Sequence, residues 1–208
     1  RASTDRWVYR YTVDLTKSSL PHDGGKFQID VTPYFNAWTG SQLCYGFVSG
    51  SIWCYGLPGD LSALYSGTRN ISPQSHGGGY HPLHKEYWSP GWTSGNTHIY
   101  RYNDAGGYLG GFYTGGRYIR QVAGDPTEDN YYTAEQYEGW RKRKGKTSQL
   151  LWSTYVGTYP GSIATDGNFV YGQRYNDHQT VYKMARDTGK KAATLKLDKW
   201  YGNDSYGG

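Results

Sequence analysis

Three groups of residues in this chain have types and spacings that chemistry could use: carboxylates beside turns, a histidine group, and a basic run. Asp30, Glu86, Asp125, Glu128, Asp129 and Asp166 are the candidates for an acid and a base facing each other, the arrangement that cleaves glycosidic bonds. Most sit in turn sequences such as Gly124-Asp125-Pro126 and Asp166-Gly167-Asn168. There a short carboxylate closes onto its own backbone, and turn closure explains them better than catalysis. His76, His81 and His84 gather around Gly77-Gly78-Gly79. With His81 to Tyr87 read as one extended strand, His81 and His84 point to opposite faces, which is poor metal geometry. No Gly-x-Ser-x-Gly elbow or phosphate-binding loop is present.

The basic run Arg141, Lys142, Arg143, Lys144 and Lys146 supplies much of a formal net charge of +5. Placed in a hairpin turn between outer strands, it is a solvated patch or a cationic rim for a sulfated or carboxylated polymer. Nucleic acid is disfavoured by the extracellular signals described next. Aromatic residues are the other conspicuous feature, with Tyr 23, Trp 8 and Phe 5. Trp38, Trp88, Trp92, Tyr132 and Tyr175 fall at strand ends or in Gly/Ser/Pro loops, where rings stack on sugars or anchor protein interfaces. Packing between sheets is the competing explanation for the same rings.

Cys44 and Cys54 flank a Val48-Ser49-Gly50-Ser51 turn. In a hairpin they fall near opposite each other, where a disulfide is feasible; two buried thiols are the alternative. Sequons at Asn70 and Asn203 point the same way, to glycosylation and a secreted chain. No apolar run is long enough to span a membrane. A first residue of Arg1 reads as a processed or trimmed chain.

The elements that must position these residues are strands. Gly 30 with abundant Tyr and Trp, and no apolar stripe at helical spacing, indicates an all-β fold rich in tight turns. The run Ser162 to Leu197 reads as four short strands joined by turns at Asp166-Gly167, Tyr175 to His178 and Asp187-Thr188-Gly189. The pattern of its third strand, Val181-Tyr182-Lys183, recurs at Val8-Tyr9-Arg10-Tyr11, Ile52-Trp53-Cys54-Tyr55, Ile99-Tyr100-Arg101-Tyr102 and, more weakly, Gln136-Tyr137-Glu138. The aromatic anchors are separated by 44, 47, 37 and 45 residues. That period and four strands per unit predict a single five-bladed β-propeller over residues 1–208. Its final blade is shared by N- and C-terminal strands; a β-sandwich is the alternative.

The unit at Ser162 to Leu197 resembles the blades of olfactomedin-like extracellular propellers, in which an Asp-Gly turn leads into an aromatic strand and a later strand ends in a Thr-Gly turn. Five-bladed lectins share the architecture. The resemblance implies a calcium or sodium ion in the central channel, with Asp125 and Asp166 as its ligands; no other cofactor is expected. The resulting functional expectation is a secreted, non-enzymatic binding or assembly module for glycans or a polyanionic matrix. The alternatives are a structural subunit of an extracellular filament, matrix or biomineral scaffold, associating with itself or other proteins, and a glycoside-active enzyme.

Overall fold

A computed structural model describes residues 7–11, 19–20, 22–28, 35–46, 52–56, 64–69, 71, 77–91, 93–157 and 159–198. Three N-terminal strands come first: β1 (Trp7–Tyr11), β2 (Ser19–Leu20) and β3 (His22–Gln28). Four antiparallel meanders follow. The first blade contains β4 (Phe35–Trp38), β5 (Gln42–Gly46), β6 (Ile52–Gly56) and β7 (Leu64–Arg69). In the second are β8 (Gly79–His81), β9 (Glu86–Pro90), β10 (His98–Asn103) and β11 (Tyr108–Tyr113). The third holds β12 (Ile119–Gly124), β13 (Asn130–Glu135), β14 (Gly139–Lys144) and β15 (Gln149–Thr154). The fourth comprises β16 (Pro160–Thr165), β17 (Phe169–Arg174), β18 (Asp177–Ala185) and β19 (Lys191–Leu197).

The fourth blade is the meander expected for Ser162 to Leu197, with its turns at 166–168, 175–176 and 186–190. The blade count differs from expectation: the described residues form four four-stranded blades rather than five. The Val8 to Tyr11 copy is a strand, but among the described residues it pairs only with β3 in a two-stranded sheet. That partner runs through Asp23-Gly24-Gly25, a sequence whose residue types favour a turn. N- and C-terminal strands do share one sheet, as expected, with β2 as the fifth strand of the last blade. There β2 adds in parallel to the outer strand β19, pairing Leu20 with Leu197. An aromatic strand pattern marks a strand without stating which edge it joins, and non-local pairing decided that here.

Two further boundaries moved. Tyr137 lies in the turn before the third strand of its blade, whose buried aromatic is Trp140. The basic run is mostly strand rather than turn, because Arg141 to Lys144 belong to β14 while Lys146 alone of the five lies in the short turn over Gly145–Thr147.

The core lies at the seams between blades. Ala37, Cys44, Ile52 and Cys54 of the first blade pack with Tyr87 and Tyr102 of the second. Trp88 and Ile99 of the second meet Val122 and Tyr131 of the third. Tyr132, Trp140 and Trp152 of the third meet Ile163, Val170 and Met184 of the fourth. Large rings cover much area per residue, so seams between thin sheets absorb most of the aromatic excess. Cys44 and Cys54 are directly paired across β5 and β6 and joined in a disulfide. At the seam of β8 and β12 the backbones approach so closely that a Cβ on Gly79 would stand 2.0 Å from the Val122 carbonyl oxygen; only glycine fits there.

Candidate functional site

The inner strands β4, β8, β12 and β16 wall a central cavity of about 450 Å³, lined by Ala37, Trp38, Tyr80, Gln121, Ile163 and Asp166 among others. The loops that follow these strands, 39–41, 82–85, 125–129 and 166–168, share one face of the ring. Trp38, 51 % exposed, stands on that face beside the cavity.

The carboxylates on this face serve the loops. Asp125 Oδ1 accepts from the Thr127 and Glu128 amides and the Thr127 hydroxyl, while Oδ2 accepts from the Tyr132 hydroxyl at 2.6 Å. Burial pushes the Asp125 carboxyl up, but these bonds and Arg186 outweigh it and hold it below the usual range. Asp166 accepts from the Asn168 and Phe169 amides and from Tyr171. Each carboxylate closes its own turn, an arrangement that does not fit a shared channel ion. Glu128 pairs with Arg186 and Lys142, and Glu86 takes a two-pronged bond from Arg101 plus the Trp88 indole. Asp30 lies outside the described residues.

The histidines are where reasoning from strand period failed. β8 stops at His81 and a tight turn over 82–85 follows, with Lys85 at φ 52°. The turn folds His84 back, so the two rings sit 4.4 Å apart instead of on opposite faces. Asp129 receives His84 Nε2 at 2.7 Å. Burial, with His84 beside it, lowers the His81 imidazole to about 4. His76 lies outside the described residues.

Of the expected aromatic ligand binders, Trp88 and Tyr132 are buried seam residues rather than loop tips. Trp92 lies outside the described residues, as do the sequon asparagines Asn70 and Asn203. The basic run is largely consumed inside the ring. Strand alternation sends Arg141 and Arg143 to the buried Glu135, and Arg143 Nη1 also reaches the Thr114 carbonyl of the preceding blade at 2.7 Å. Lys142, on the other side, meets Glu128 at 3.2 Å. Only Lys144 and Lys146 of the five are exposed.

Tyr175 belongs to a surface that the sequence reading missed. On the face opposite the cavity loops, Tyr118, Tyr137, Tyr159 and Tyr175 form a row with successive ring centroids 6.1, 6.0 and 6.3 Å apart. Arg120 lies over Tyr159 and Tyr175 at 5.7 and 5.0 Å and donates to Gln136 Oε1. Tyr118 and Tyr159 precede the inner strands β12 and β16; Tyr137 and Tyr175 occupy the turns after β13 and β17. The pairings Ile119 with Glu135 and Pro160 with Arg174 bring those positions to one end of each blade. Tyr137 is 46 % and Tyr159 37 % exposed, and Tyr155 adds a more exposed ring beyond β15. Tyr118 and Tyr137 hold φ of 48° and 70°, a left-handed conformation costly for aromatic residues. The repeat of tyrosine at equivalent places in two successive blades was the available signal, visible only once strand ends are known.

The comparisons with known structures agree with this architecture. A chain of a solved nidogen/laminin complex superposes with TM-score 0.60 at 15 % identity, covering 99 % of this chain and 80 % of that one. This chain is folded as a β-propeller. A chain of Kuenenia stuttgartiensis hydrazine synthase also superposes on the propeller, with TM-score 0.52 at 13 % identity, over 84 % of this chain and 52 % of the other. At these identities the likeness concerns fold alone. No protein-family model and no curated protein matches the sequence. Among the described residues no helix is long and apolar enough to cross a membrane.

Proposed function

We propose that this propeller is an extracellular, non-enzymatic protein-binding module and that the tyrosine row with Arg120 is its docking surface. The row itself carries the reading. Four tyrosines and a stacked arginine, continuous across two blades, have the composition of interaction hot spots, and two of them sit in unfavourable backbone conformations. The Cys44–Cys54 disulfide suits an oxidising compartment. Engagement of the described candidate carboxylates by turns and cations supports a binding role over glycoside hydrolysis.

A panel of extracellular matrix proteins, probed with the wild type and with Tyr137→Ala/Tyr159→Ala, tests the proposal. At least one protein ligand is expected, weakened roughly 30-fold or more by the double substitution with an unchanged unfolding temperature. Absence of any protein ligand, or a ligand indifferent to both tyrosines, overturns it. Binding on a glycan array that is lost with Trp38→Ala would return the function to sugar recognition at the cavity face. A scaffold role rests on a different feature, the exposed Tyr108, Leu109 and Tyr113 of β11 and Leu150 and Leu151 of β15. A monomer by light scattering at high concentration removes it.

A further inference from the structure

The turn after β8 assembles a constellation at the cavity face that the protein-binding surface does not involve. His81 is fully buried, yet its ring nitrogens make no hydrogen bond of ordinary geometry and have only the Asn130 backbone to act on them. Buried polar groups are nearly always fully satisfied, so an under-bonded imidazole points to something that binds there. The ring packs in tilted contact with His84 at 4.4 Å and Trp88 at 4.6 Å, which restricts its orientation. His84 arrives from the 82–85 turn and Asp129 from the loop between β12 and β13. One ligand atom from each of the three residues lies within 4.8 Å of the other two.

We propose that His81, His84 and Asp129 bind a divalent transition-metal ion of the zinc class, with a fourth position open to water. Two imidazole nitrogens and one carboxylate oxygen suit zinc, whereas calcium and magnesium demand oxygen ligands. Around a tetrahedral zinc with bonds of about 2.0–2.1 Å, ligand atoms stand roughly 3.3 Å apart. Closing from the present spacing takes rotation of His84 and Asp129, whose side chains are 25 % and 64 % exposed, while buried His81 stays fixed. Their direct bond at 2.7 Å is exchanged for two bonds to the ion. Glu86, close in sequence, is already held by Arg101 and Trp88 and does not compete. The site spans two blades, so the ion would pin the seam where β8 meets β12.

The test is calorimetric titration of the chelator-treated full chain with zinc, with cobalt as a spectroscopic probe of coordination. One ion per chain is expected, with a tetrahedral cobalt spectrum. His84→Gln and Asp129→Asn should each weaken binding at least ~10-fold, the minimum lost when even a supporting group of a metal site is removed. Both residues are partly exposed, so the metal-free variants should unfold at the wild-type temperature, while zinc raises that temperature in the wild type alone. No binding at about 100 μM zinc, binding unaffected by both substitutions, or equal affinity for calcium would overturn the assignment.

Discussion

Asp125 shows how one residue can look catalytic and serve structure. It is fully buried, with four hydrogen bonds around its carboxylate, and its acidity is raised relative to the unfolded chain. A depressed carboxyl contributes stability that is present above its unfolded value near 3.8 and lost as pH falls through the folded one. Unfolding temperature should therefore drop as pH is lowered from about 5 to 3. Asp125→Asn keeps acceptors for the turn amides but removes the charge. It should cost about 1.5–3 kcal/mol at neutral pH and flatten that acid slope; thermal unfolding across pH checks both. A variant with the wild-type slope would mean that other carboxylates govern acid unfolding.

At the scale of elements, β14 is the instructive case. Its four consecutive cations read as a turn, because such runs are usually solvated, yet they form a strand whose alternate residues meet opposite partners. Arg141 and Arg143 share Glu135, which has no solvent exposure. Glu135→Gln leaves the buried Arg143 without its counter-charge and Arg141 with Glu138 alone, and should destabilise the fold by about 3–5 kcal/mol. Lys144→Ala and Lys146→Ala, at the exposed end, should each stay within about 0.5 kcal/mol. Chemical denaturation of the three variants reads the contrast; equal effects would mean that the pairs are not structural.

For the whole molecule, stability depends on blades meeting closely. Gly79→Ala would drive a methyl into the Val122 carbonyl and separate the second and third blades, at a cost of about 1–3 kcal/mol or more. Gly95→Ala, in open space, should be nearly silent. If both glycines tolerate alanine, the seam is looser than its geometry requires. The same close seam brings the loop carrying Asp129 to His81, so blade packing and the histidine cluster stand or fall together.

Strand character, turn chemistry and the four-stranded unit were legible from residues 162–197 alone, because side-chain alternation and Asp-Gly or Thr-Gly turns are local properties. The cysteine pairing was legible for the same reason, as the two residues flank a single hairpin. Blade number was not, since the pairing of β1 with β3 and of β2 with β19 is a non-local choice that a strand pattern leaves open. Nor was the fate of Trp88 and Tyr132, because burial at a seam depends on which sheet lies opposite. The tertiary structure alone decided the two candidate sites. A four-residue turn reversed the relation of His81 to His84, and the meeting of strand ends from two blades turned four separated tyrosines into one surface.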